Sequence, residues 1–230
     1  MNPHFNALLC FCSSGTIPNR YPCETQSLQE TKTHKSSPSE INLGWKGVIP
    51  RWKAGSVIKW AADPEGYVNR DDASYAEARF AEATQTWNKM NLGVSFAKAD
   101  PPGTAAFIVR FNGDNGDTLA EAFFPNTKLS NNMYVYSRVF EDDARPDLVH
   151  VFEHELGHVL GLRHEFAAEE GDFILFGRQN LQSVMAYNWP PRITPQDVKE
   201  TQEFYAWCQP EISSDENTYK VVDHVPRGGK

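Results

Sequence analysis

Between Ser74 and Met90 the apolar residues Ala76, Phe80, Ala83, Trp87 and Met90 recur at alternating intervals of four and three. That is the period of one helical face. A Ser74–Glu77 capping box and Gly93 mark the expected ends of this helix. Its stripe is expected to lie against a sheet. Short β-rich runs bounded by turns supply the strands: Val57–Trp60 first, then Val94–Ala97, Ala106–Asn112, Thr118–Phe124 and Met133–Ser137. A second helix is expected from Pro146, suited to the first helical position, to about Leu160. Its apolar face is Val149, Phe152, Leu156 and Val159. After a loop over Phe166–Ser183, Thr194 as N-cap and Pro195 at the first position open a last helix that ends near Trp207. The order implies an α+β fold: a mixed sheet of about five strands with one packed helix, then a second helix, then a mostly irregular half closed by the last helix.

The flanks have a different texture. Residues 1–43 are rich in Ser, Thr, Pro, Asn and Lys and read as a mobile arm or propeptide remnant. Residues 44–209 form the expected domain, and the polar tail 210–230 is expected to be loosely held. At 230 residues the chain is long enough for one well-packed domain with additions. The net charge of -8 argues against nucleic acid as a partner. No apolar run approaches bilayer length. Cys10, Cys12, Cys23 and Cys208 lack paired zinc spacing; one or two bridges would fit, one of them joining the arm to the end of the last helix. The apolar run Phe5–Cys12 lacks the basic flank of a secretory signal. "NGDNGD" (Asn112–Asp117) is a turn by its chemistry; calcium would suit its alternating carboxylates, but the EF-hand pattern is absent and no calcium is predicted.

The second helix carries the chemistry. Four residues advance a helix by about 400°, so His154 and His158 share one face, one turn apart. Two imidazoles so placed can reach one ion, and zinc takes nitrogen ligands at about 2.0–2.1 Å in tetrahedral array. Glu155 is displaced round the helix from that pair, a position suited to a general base acting on a water beside the metal. His164 is six residues past His158, out of reach of a straight helix. Gly161 resolves this, because glycine adopts positive φ at little cost and can turn the chain back. His150 also lies one turn before His154, but three ligands are already complete without it. Chance agreement at His154, Glu155, His158, Gly161 and His164 together is rare.

These residues resemble the metzincin metalloproteases. The motif H-E-x-x-H-x-x-G-x-x-H is met by His154–His164, and the Met-turn that follows it by "SVMAY". The resemblance covers roughly residues 45–207. It implies a zincin-like fold, His154, His158 and His164 as ligands of Zn2+, Glu155 as general base and Met185 as the apolar floor. "TLAEAFFPN" and "ITPQDVKETQEFY" resemble the matrixin cleft strand and last helix. Glu121 stands where matrixins carry a histidine for a structural zinc, so that second zinc is not predicted. Glu165, and Tyr187 two past the Met, are similar to astacins; the role this implies for Tyr187 is a weak zinc ligand or a donor to the oxyanion. "RYPC" around Cys23 is similar to part of the matrixin propeptide motif.

The function implied is a zinc-dependent metalloendopeptidase, monomeric and extracellular. Its substrate would be an extended peptide pairing with the edge strand near Leu119–Phe124, its pocket walled by Asn188-Trp189-Pro190 and Phe173–Phe176. The alternatives are a zinc-bearing binding module that has lost proteolysis, a structural zinc domain, which would want a fourth Cys or His, and a zinc hydrolase acting on another amide.

Overall fold

The computed structural model describes residues 23–25, 41–44, 47–129, 131–164, 174–177, 180–186, 188–213 and 218–228. The main sheet is laid down by β4 (Val57–Asp63), β5 (Ser95–Lys98), β6 (Phe107–Phe111), β7 (Ala120–Ala122) and β8 (Asn131–Val135). Their spatial order is β7-β8-β6-β4-β5. Neighbours run parallel except at β7–β8, where Ala120 faces Val135 and Glu121 faces Tyr134 in an antiparallel pair. This mixed five-stranded arrangement with helices is the expected α+β architecture.

Helix α1 (Arg70–Asn88) lies on the sheet through the predicted stripe, with Ala76, Phe80, Ala83 and Trp87 buried. The Phe80 ring meets Trp60, Phe107 and Phe152 edge-on at centroid distances of 4.8, 5.9 and 5.1 Å. It therefore joins the sheet to helix α2 (Leu148–Val159). The Trp87 indole N–H donates to the Glu153 carbonyl at 2.9 Å, beside the histidine motif.

Both ends of α1 differ from expectation. The helix begins a turn earlier than Ser74, because the Asn69 side chain accepts from Asp71 N and caps it there. It stops at Lys89, and Asn91 at φ 53° takes the left-handed position before Gly93 is reached. At α2, Pro146 belongs to a 3-10 turn, Arg145–Asp147, and the α-helix proper starts at Leu148. The last helix, α3 (Pro195–Ala206), has the expected Thr194 cap.

The described parts of both flanks form strands that their composition does not suggest. In the arm, β1 (Cys23–Thr25) adds a sixth strand parallel to β7, and β2 (Ile41–Leu43) pairs antiparallel with β9 (Ile174–Phe176). The tail expected to be loose instead forms β10 (Glu211–Ser213) and β11 (Thr218–His224), and β11 runs parallel to β3 (Val48–Trp52). Two buried apolar residues, Ile212 and Tyr219, pin the tail, and backbone hydrogen bonds do the rest. A ladder of main-chain bonds leaves no mark in a polar sequence. Cys208 is an exposed free thiol, so the arm-to-helix bridge is not formed at that residue. Cys10 and Cys12 lie outside the described residues. Among the described residues no helix is long and apolar enough to cross a membrane.

Candidate metal centre

Helix α2 delivers His154 and His158 on one face, both fully buried. The helix ends in a Schellman motif: Leu162 N donates to Gly157 O at 3.0 Å and Gly161 N to His158 O at 2.8 Å. Gly161 sits at φ 98°, and a Cβ there would stand 2.6 Å from the Pro50 carbonyl oxygen. Both the backbone angle and the space therefore require glycine. The reversal brings buried His164 back to the other two.

One ring nitrogen or its equivalent from each of the three histidines lies within 4.8 Å of the others. His158 Nε2 and His164 Nε2 are 3.1 Å apart. Ligands at 2.0–2.1 Å in a tetrahedral array would be separated by about 3.3 Å, so the spacing suits zinc. The opposite edges of the rings are tied down. His154 Nδ1 donates to the Val184 carbonyl at 2.6 Å, and His158 Nδ1 donates to the Leu162 carbonyl at 2.8 Å. With the proton held on Nδ1, each Nε2 offers a lone pair, the form a metal needs.

Electrostatics favour that form. Burial pushes the His154 imidazole down to about 4, opposed only in part by its bond to Val184. His158 and His164 are held well below the ordinary imidazole range, first by burial and then by the charge of the neighbouring histidines. All three are neutral at neutral pH. Glu155 is fully buried on the same helix.

Met185 packs beneath α2 at Gly157: a Cβ on Gly157 would overlap the Met185 sulfur. The turn that carries Met185 is anchored by the buried Asp197 carboxylate of α3. One oxygen accepts from Ser183 Oγ at 2.6 Å and Asn180 Nδ2 at 3.2 Å. The other accepts from Val184 N at 3.1 Å, Thr194 N at 2.7 Å and Thr194 Oγ1 at 2.9 Å. Asp197 thus fixes the residue whose carbonyl orients His154. Sequence reasoning found the helix and its Thr194 cap but passed over Asp197 and Gly157. The spacing of Thr194 and Asp197, a capping box with aspartate, was the available signal for the first.

The other residues weighed in the sequence lie apart from the triad or outside the described residues. His150 pairs with Glu153 at 2.9 Å and is not in the triad. Glu121 accepts from Tyr136 Oη at 2.7 Å. Asp114 accepts from Gly116 N in a turn, and among the described residues the loop's carboxylates gather into no cluster. Trp189 is 40% exposed. Tyr187, Glu165 and Phe173 lie outside the described residues. The β7 edge expected to pair with substrate is covered by β1, with Cys23 opposite Ala120 and Thr25 opposite Ala122.

Residues 67–206 match the matrixin family. Human stromelysin-3 is 29% identical over 147 residues, 58% of this chain and 28% of that protein. Mouse stromelysin-3 is 30% identical over 138 residues, 54% of this chain and 26% of that protein. The match thus spans about a quarter of the length of these curated relatives. The solved structure of myroilysin superposes with a TM-score of 0.52 at 15% identity, covering 73% of this chain and 100% of that one. That likeness is one of fold. With the family model matched over more than half of the chain, and the histidine triad assembled from the expected helix and the turn after it, the chain belongs to the matrixin family of metzincin metalloproteases.

Proposed function

We propose that this chain is a zinc-dependent metalloendopeptidase. The observation that carries the reading is the buried neutral triad, with the Nδ1 edges of His154 and His158 tied to main-chain carbonyls. His154, His158 and His164 would hold the zinc, which when bound supplies Lewis acidity to an attacking water and to the scissile carbonyl. Glu155 takes the water's proton as attack begins and passes it to the leaving amine. Met185 closes the floor through its contact with α2. Tyr187, by resemblance to the astacins, donates to the developing oxyanion. The substrate is an extended peptide that takes the β7 edge in place of β1, and Asn188-Trp189-Pro190 walls the pocket. Membership of the matrixin family supports action outside the cell.

The test is incubation of the zinc-loaded protein with a diverse peptide mixture, read by mass spectrometry, with Glu155→Ala as the blank. Cuts made only by the parent, with about one zinc retained by the variant, are the expected result. Loss of zinc from Glu155→Ala would count against Glu155 as a base that is not a ligand. The strand β1 on the β7 edge favours running the assay also on a chain lacking residues 1–40, which keeps β2 on β9. Zinc bound but no cuts from either form would favour the binding-module reading instead.

A further inference from the structure

The C-terminal strand reaches the third histidine through two buried residues. Tyr219 of β11 is 2% exposed and lies against Gly44. Gly44 sits at φ 89°, and a Cβ there would stand 2.8 Å from Tyr219 Cδ1 and 3.2 Å from Ile49 Cγ1. The Gly44 carbonyl accepts a hydrogen bond from Arg163 Nη1 at 2.8 Å. Arg163 is 3% exposed and immediately precedes His164. The same strand pair frames the other end of the turn. β11 is in register with β3, with Val222 opposite Pro50, and the Pro50 carbonyl presses on Gly161. Trp52 at the end of β3 donates from its indole to the Val159 carbonyl at 2.7 Å, in the last turn of α2.

We infer that β11 is a strut of the metal centre, with Tyr219 and Arg163 as positioning residues that hold His164 through the Gly44 carbonyl. The tail thereby sets how long the site keeps its metal. The Schellman turn aims the chain back toward the ion; the strut then fixes where it stops. This rests on the triad being the zinc site. A buried guanidinium bonded to a main-chain carbonyl is costly to move, and partners one layer out from a metal's ligands commonly change its affinity by about 10–100-fold.

The test measures zinc loss from the full-length loaded protein into excess chelator, at a temperature where every zinc-free variant is still folded by circular dichroism. Tyr219→Ala and Arg163→Met should each release zinc about tenfold faster. Arg163→Lys, which keeps a cationic donor for the Gly44 carbonyl, should recover most of the loss seen in Arg163→Met. The double variant Tyr219→Ala/Arg163→Met should be no faster than the faster single, because both cut one strut. Parent-like rates in both singles would overturn the proposal. So would rates that multiply in the double variant, which is the behaviour of two unrelated destabilisations. If Tyr219→Ala does not fold, the Arg163→Met and Arg163→Lys pair decides alone. A parent that takes up no zinc would overturn the metal reading itself, and that result is separate from any ranking of the variants.

Discussion

Replacing Gly161 by alanine tests the turn on which the triad depends. The residue is at φ 98°, where a side chain is strained; holding a non-glycine there costs of order 1–3 kcal/mol. A second penalty comes from space. The added Cβ would stand 2.6 Å from the Pro50 carbonyl oxygen, short of the 3.4 Å at which ordinary contact begins. Relief requires β3 to retreat from α2, an overpacking cost of about 1–3 kcal/mol. Alanine returns about 0.4–1 kcal/mol by restricting the unfolded chain. The balance is near 3 kcal/mol, or a fall of roughly 6–12 °C in the melting temperature for a chain of this size. Gly93→Ala is the matched control, since Gly93 is at φ 81° with nothing within 4 Å of its would-be Cβ. It carries the strain without the collision. Thermal unfolding of both zinc-free variants by circular dichroism should place Gly161→Ala about 1–3 kcal/mol below Gly93→Ala. If Gly161→Ala melts no lower than Gly93→Ala, the close approach of Pro50 to the turn is refuted.

Three further outcomes are expected. Asp197→Asn should destabilise the protein by about 2–3 kcal/mol despite its near-identical shape, because donors face both carboxylate oxygens and an amide NH2 on either side meets a donor; an unchanged melting temperature would argue against this anchoring of the Met-turn. In the zinc-free protein the three imidazoles are neutral when folded and take up protons on unfolding, so their contribution is present above the unfolded value of about 6.5 and is lost as pH falls toward the folded-state values, about 4 for His154. Melting temperature should therefore drop as pH is lowered from 7 to 5, and His154→Ala should flatten the slope by up to about 1.4 kcal/mol per pH unit, whereas a parent curve flat over this range would contradict the burial of the triad. Arg51→Ala should cost about 2–4 kcal/mol, since Arg51 Nη1 serves the Phe204 and Trp207 carbonyls at the end of α3, while Asp223→Ala should cost under about 1 kcal/mol because Asp223 is half exposed. Equal losses in the two variants, measured by denaturant unfolding, would show that the ion pair rather than the carbonyl bonds dominates.

The readable parts of this protein are those written in local spacing. The stripe from Ala76 to Trp87, the Thr194-Pro195 start of α3 and the histidines at intervals of four and six each follow from helix geometry or from what glycine permits, and all of them appear in the fold. Even there, the ends of α1 moved, because Asn69 and Asn91 satisfied the backbone before the expected Ser74 and Gly93 could. The tertiary structure decided which groups finish the site. The Val184 and Leu162 carbonyls orient two histidines, Gly44 holds Arg163 across 119 residues of chain, and Asp223 meets Arg51 across 172. Every residue carries a carbonyl, so its use as an acceptor has no signature in composition or period. The strands of the arm and tail were hidden for the same reason: their partners are main-chain groups distant in sequence, and only the folded chain brings them into register.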